Sequence, residues 1–167
     1  RDAFTEDGWF RTGDLGSITK DGWIFIKGRL KNMIVGPSGE NIYPEDIEEV
    51  INSCPVVAES VVTEENGKLV ALVYFDMAAL EARYDVFKKM VVDGKDQIGQ
   101  KMTESKEQIE QKMEEIKREL MVYVNAKVNR FSQITKVIDN GCEFEKTPTK
   151  KIRRFLYNNR PKGVTTA

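Results

Sequence analysis

Gly28-Arg29-Leu30-Lys31-Asn32-Met33-Ile34-Val35-Gly36-Pro37-Ser38-Gly39-Glu40-Asn41-Ile42-Tyr43-Pro44-Glu45-Asp46-Ile47-Glu48 is the stretch on which the fold turns. It opens on a glycine followed by polar Arg29, Lys31 and Asn32, a run that gives the backbone little cover. A hinge needs such residues, able to absorb a φ/ψ change at the end of an element; an ordinary exposed linker is the other reading. Asn32-Met33-Ile34-Val35 and Glu40-Asn41-Ile42-Tyr43 then flank Gly36-Pro37-Ser38-Gly39, which predicts a hairpin across Met33–Tyr43. Pro44 sits where the first helical turn wants it, and Glu45 and Asp46 follow at the positive end of the helix dipole. Ile47, Val50 and Ile51 form one apolar face, and Cys54-Pro55 closes the helix.

On the N-terminal side, Trp23, Phe25 and Lys27 alternate with Ile24 and Ile26, and Asp21-Gly22 predicts a two-residue hairpin turn within residues 9–27. On the other side, 56–63 and 69–75 are β-branched-rich strands joined through Asn66-Gly67. Residues 134–138 and 142–145 predict one more strand pair around Asn140-Gly141. Between these strands lies a helical insertion at about 77–131. Met77, Leu80, Tyr84, Phe87 and Val91 recur at helical spacing. A second helix from about Gln97 to Phe131 carries Met102, Ile109, Met113, Ile116, Leu120, Tyr123 or Val124, and Val128. Its stripe reads either as half of an antiparallel helical pair within the chain or as a coiled coil with a partner. The expected fold is α+β: a small mixed sheet with flanking helices, preceded by a β-hairpin stub and carrying a long helical insertion.

Composition narrows the function classes. The 167 residues hold 26 Lys+Arg against 27 Asp+Glu, a formal net charge of −1, which speaks against a nucleic-acid binder. No apolar run approaches the roughly 20 residues of a bilayer span, so no transmembrane segment is expected. Histidine is absent, which excludes imidazole catalysis and His-based metal sites. Cys54 and Cys142 lie too far apart for a metal-type spacing and read as two free thiols in a reducing compartment. No metal ligands are assigned. Arg1 falls inside what reads as the middle of a stretch, without an initiator Met or a targeting signal, so a piece of a longer chain is expected.

Chemistry concentrates in three motifs. In Trp9-Phe10-Arg11-Thr12-Gly13-Asp14-Leu15-Gly16 a carboxylate stands between glycines at a strand end. That placement suits acceptance of two neighbouring hydroxyls, as in a ribose diol, or merely a turn aspartate capping backbone N–H groups. The 28–34 run is the second motif. The third is Lys146-Thr147-Pro148-Thr149-Lys150-Lys151-Ile152-Arg153-Arg154, within a span to Lys162 that has seven basic residues and no acidic one. Such a tail meets phosphate-rich ligands or is a solvated terminus; a lysine there offers a phosphate a compact, mobile charge.

In this order and spacing the motifs resemble the C-terminal part of the adenylate-forming enzymes. Residues 38–48 and 147–152 look most like long-chain fatty acid–CoA ligases. The resemblance implies two half-reactions. A carboxylic acid attacks the α-phosphate of ATP, giving acyl-adenylate and pyrophosphate; the small C-terminal domain then rotates and coenzyme A attacks the acyl carbon, releasing AMP. It also implies that Asp14 holds the ribose hydroxyls, with Arg29 near the same nucleotide, and that Lys31 is the hinge position. Lys151 falls on the adenylation lysine, and the hairpin around Ser38, Gly39 and Glu40 borders the pantetheine channel. Two positions depart from the pattern: Val35 stands where many relatives carry Lys, and Lys150 where many carry Gly. Lys151 rather than Lys150 is assigned because Ile152 follows it.

On this resemblance residues 1–28 are the terminal strands of an N-terminal AMP-binding domain, 29–32 the hinge, and 33–167 the C-terminal lid. That N-terminal domain is the implied partner; ATP, CoA and fatty acid are the implied ligands, with Mg²⁺ held mainly outside this chain. The chain alone is expected to be inactive, and the enzyme cytoplasmic, with peripheral membrane association left open. Two alternatives remain: an adenylating enzyme that loads a carrier protein, and a non-enzymatic module whose helical insertion docks a partner.

Overall fold

A computed structural model of the chain describes residues 3–76, 80 and 106–158, with side chains in the last segment from 111 onward. The first hairpin pairs β1 (Asp14–Ile18) with β2 (Ile24–Arg29) antiparallel, from Ile18↔Ile24 to Asp14↔Arg29, with a bulge between Leu15 and Gly16. Its connection is longer than the two-residue turn expected at Asp21-Gly22. The Thr19 N–H donates to the Trp23 carbonyl at 2.9 Å, the Trp23 N–H donates to Thr19 Oγ1 at 3.1 Å, and Gly22 takes φ +85°. The threonine hydroxyl thus closes a wider loop, leaving the left-handed position to glycine alone.

The hairpin expected across Met33–Tyr43 forms with a shorter ladder, β3 (Ile34–Val35) against β4 (Asn41–Ile42). Helix α1 (Pro44–Asn52) follows with Pro44 in its first turn, and at its end the Ser53 N–H donates to the Glu49 carbonyl and the Cys54 N–H to the Ile51 carbonyl, both at 3.0 Å. Strands β5 (Val57–Glu65) and β6 (Lys68–Phe75) are antiparallel, and Asn66 (φ 55°) with Gly67 (φ 75°) makes the two-residue turn with both residues left-handed. Strand β7 (Ile134–Asp139) joins β6 in parallel, so the sheet β5-β6-β7 is mixed. A parallel neighbour requires a crossover, which here contains α2 (Lys106–Lys127). Asn125 near the end of α2 fixes the start of β7: its amide donates to the Ile134 carbonyl and accepts from the Ile134 N–H, both at 2.8 Å.

The helices share one face of this sheet. Ile47 and Ile51 of α1 and Ile116, Leu120 and Val124 of α2 are buried against Val62, Ala71, Val73 and Ile134. From Ile116 onward the α2 stripe is therefore occupied by the chain's own core rather than by a partner coiled coil. Of the earlier stripe, Leu80 is helical and half-buried against the same core; Met77, Tyr84, Phe87, Val91 and Met102 lie outside the described residues, as does the side chain of Ile109. Val61 and Leu72 face the other way, and the C-terminal segment covers them with Phe144 and Tyr157.

That covering replaces the strand expected at residues 142–145. The Asn140 side chain donates to the Cys142 carbonyl at 2.8 Å, and the Glu145 N–H donates to the Tyr157 hydroxyl at 2.9 Å. Side chains thus take up backbone groups that a ladder would have used. Phe144 turns onto the sheet, edge to face with Tyr157 at 4.9 Å. Among the described residues no helix is long and apolar enough to cross a membrane.

Candidate active site

Asp14 and Arg29 are cross-strand partners at the open end of the first hairpin, and their side chains meet: Arg29 Nε lies 2.9 Å from Asp14 Oδ1. Arg29 Nη1 also donates to the Thr12 carbonyl at 3.0 Å, and the Asp14 N–H donates to Thr12 Oγ1 at 3.1 Å. The Asp14 side chain is about a third exposed, so its second oxygen remains available to a ligand.

The chain then leaves β2 through a tight turn. The Leu30 N–H donates to the Gly13 carbonyl at 2.9 Å, and the Asn32 N–H to the Arg29 carbonyl at 3.0 Å. Asn32 Nδ2 donates to Glu45 Oε1 at 2.6 Å, which ties the segment after β2 to the first turn of α1. Lys31 is exposed. Together with Asn32, Thr63, Arg154 and Asn158 it borders a polar cavity of about 370 Å³.

The loop at Ser38, Gly39 and Glu40 is held from within. The Gly36 N–H donates to the Glu40 carbonyl at 2.8 Å, and Glu40 Oε2 accepts from the Ser38 N–H at 3.1 Å. Gly39 has φ +83° and open space around it. Its requirement for glycine is therefore conformational, whereas the close approach is at Gly36, where a Cβ would meet the Glu40 carboxylate.

Lys151 ends a closed loop. Lys146 and Ile152 form a bridge, the Thr147 N–H donates to the Lys151 carbonyl at 2.8 Å, and the Lys150 N–H to the Thr147 carbonyl at 2.8 Å. The Lys151 N–H donates to Thr147 Oγ1 at 3.2 Å, while Lys150 takes a left-handed φ of +60°. Lys146 is engaged with Glu59 at 2.6 Å, a hydrogen bond that raises its pKa. Lys151 is exposed, and its side-chain ammonium makes no hydrogen bond or ion pair with the described residues. The structure thus brings Asp14 to Arg29 and sets Lys31 two residues on. No hydrogen bond or ion pair among the described residues joins these to Ser38, Gly39, Glu40 or Lys151.

One pair went unread in the sequence. Arg154 Nη1 donates to Glu48 Oε1 at 2.6 Å and Nη2 donates to Oε2, while Glu48 Oε1 also accepts the Val62 N–H at 2.6 Å. Burial pushes the Glu48 carboxyl upward; the Arg154 guanidinium and the Val62 N–H pull against it. A signal was present: Glu48 lies on the same stripe as Ile51, and a charge on an apolar face demands a partner.

The chain was compared with known proteins. No protein-family profile matches it. It is 56% identical over 59 residues to a long-chain-fatty-acid–CoA ligase of Mycobacterium tuberculosis (strain CDC 1551 / Oshkosh), covering 35% of this chain and 11% of that protein. A long-chain-fatty-acid–CoA ligase of Gallus gallus is 37% identical over 73 residues, 43% of this chain and 10% of that protein. The solved structure of a Mycobacterium tuberculosis fatty acyl CoA synthetase is 30% identical with a TM-score of 0.51, over 94% of this chain and 25% of that one. The chain thus matches about a tenth of the length of these curated relatives. The relatives that these 167 residues match are acyl-CoA ligases, and the match falls on their C-terminal portion.

Proposed function

We propose that the chain is the lid of an ATP-dependent fatty acid–CoA ligase, with residues 1–28 closing the preceding AMP-binding domain, 29–32 the hinge and 33–167 the lid. In the intact enzyme the acid's carboxylate attacks the α-phosphate of ATP and expels pyrophosphate. The thiol of CoA then attacks the acyl carbon and AMP leaves with the electron pair of the broken C–O bond. Asp14 accepts from the ribose hydroxyls and is oriented for this by Arg29. The Lys151 ammonium neutralises charge that builds between carboxylate and α-phosphate in the first transition state. Lys31 absorbs the rotation between the steps, and the Ser38-Gly39-Glu40 loop borders the pantetheine arm in the second.

The observation that carries this reading is the closed loop before Lys151. Its left-handed residue is Lys150, the position where glycine is at home and where many enzymes of the group carry it. The Lys151 ammonium, like that of Lys150, is presented to solvent without a partner among the described residues. Long-chain acids are proposed as substrates because two relatives bear that name. Among the described residues no cluster of three or more Cys, Asp or Glu is arranged to hold a metal; the residues described do not fit Mg²⁺, and no step here is routed through it. A cytoplasmic location is proposed with this reading, since ATP and CoA are both available there.

The test is product analysis of the intact enzyme carrying this sequence, with ATP, CoA and straight-chain acids from short to long. Acid-dependent release of pyrophosphate and formation of acyl-CoA, greatest with long acids, are expected. No acid-dependent pyrophosphate release would overturn the ligase reading, and a preference for short acids would overturn the long-chain part of it. The 167-residue chain alone is expected to show no ATP–pyrophosphate exchange.

A further inference from the structure

Arg154 lies three residues beyond Lys151 and grips Glu48 across 106 positions of sequence. Glu48 is 5% exposed and flanked in α1 by Ile47 and Ile51, both buried in the apolar core. Packing alone would favour an apolar side chain there, since two buried charges lose hydration that an apolar pair of equal volume never needed. The pair's geometry is specific instead. A planar guanidinium meets a carboxylate through two parallel hydrogen bonds, which fixes angle as well as distance. The same carboxylate also holds the Val62 N–H at 2.6 Å, so α1, β5 and the C-terminal segment meet at one group.

The path from that anchor to Lys151 is short and braced. The Arg154 N–H donates to the Ile152 carbonyl at 3.0 Å, and the Arg153 N–H to the Glu145 carbonyl at 2.8 Å. Ile152 packs half-buried on the second sheet face and bridges to Lys146. Lys151 is thus an exposed residue of a loop secured on one side by Lys146 and on the other by Arg154. We infer that Glu48 and Arg154 are positioning residues, which hold the Lys151 loop at a fixed place on the lid so that its ammonium reaches the reacting carboxylate and α-phosphate in register. The inference rests on the role proposed above for Lys151. Misplacement of a catalytic group by about 1 Å can cost about a hundredfold in rate, so a braced loop has a direct kinetic consequence.

The experiment measures two half-reactions of the intact enzyme: ATP–pyrophosphate exchange, and thioester formation from preformed acyl-adenylate. The variants are Lys151→Ala, Arg154→Lys, and the double replacement Glu48→Met with Arg154→Met, which removes the pair without stranding a charge. Melting temperature reports folding for each. Arg154→Lys keeps the charge and loses the fork. It is expected to lower exchange about 10- to 100-fold while thioester formation stays within about threefold. The Met pair, expected to melt near the parent, should show the same selective loss. Equal loss in both half-reactions, unchanged exchange in either Arg154 variant, or failure of both variants to fold would overturn positioning and leave a structural role. If Lys151→Ala itself spares exchange, the assignment of Lys151 falls, and positioning falls with it. Loss in Lys151→Ala together with full exchange in Arg154→Lys refutes positioning alone.

Discussion

Glu45 Oε2 lies 2.9 Å from the point that a Cβ on Gly28 would occupy, so a side chain at residue 28 would have to displace the carboxylate at the start of α1. The other oxygen of the same carboxylate holds Asn32. Gly28 also takes φ +150°, which L side chains rarely adopt. Gly28→Ala is therefore expected to destabilise the junction by about 1–3 kcal/mol through strained backbone and the collision with Glu45. Adding Glu45→Ala should recover only the collision part. Urea midpoints of the parent, the single and the double variant separate the two contributions; an unchanged midpoint in Gly28→Ala would show that the junction yields freely.

Lys150 presents the opposite case, a side chain at a position suited to glycine. With φ at +60°, it bears a left-handed cost of about 1–2 kcal/mol that glycine avoids. Lys150→Gly is expected to raise stability by up to about 1 kcal/mol, part of the gain being offset by the greater freedom of glycine in the unfolded chain. Adenylate formation should change little in Lys150→Ala and fall steeply in Lys151→Ala. A selective loss in Lys150→Ala instead would move the adenylation lysine back by one residue.

What was legible in the sequence was local. Asn66-Gly67 closes its hairpin because both left-handed positions are filled by the two residues themselves, and Pro44 starts α1 because its ring and missing N–H suit a first turn. Asp21-Gly22 carries a similar signal, but the Thr19 hydroxyl captures the Trp23 N–H and widens the loop. Residues 142–145 have strand-like composition, yet Phe144 gains more by covering Val61 and Leu72 than by entering a ladder. The Glu48–Arg154 pair depends on two segments meeting on the finished fold, which no periodicity reports. The motifs of the candidate site were legible because each is short. Their assembly was legible for Asp14 and Arg29, which share a hairpin register.

Asp14 and Arg29 yield a kinetic prediction of their own. Asp14→Asn keeps the shape of the side chain and removes its charge, weakening both the contact to Arg29 and any hydrogen bonds to a ribose diol. Hydrogen bonds to a charged group are worth about 1.5–3 kcal/mol each. The KM for ATP in the intact enzyme is accordingly expected to rise about tenfold or more, with thioester formation from preformed adenylate also weakened because the same ribose is bound. An unaltered KM for ATP would remove Asp14 from the nucleotide site and return it to the role of a turn residue.

The two thiols should behave differently. Cys142 is exposed, whereas Cys54 is buried beneath the end of α1, and burial pushes its pKa up to about 11, with Lys127 pulling weakly the other way. A thiol reagent at pH 8 should therefore modify Cys142 at once and Cys54 only after unfolding, giving one fast equivalent from this chain in buffer and two in denaturant. The raised value also has a sign for stability. The unfolded thiol ionises first, near its ordinary value of 9.0, so the contribution of Cys54 to stability is complete below that pH and is lost as pH rises through about 11. Cys54→Ala should flatten the alkaline decline of the unfolding midpoint relative to the parent, at the cost of a small cavity. An equally steep decline in the variant would assign it to other groups.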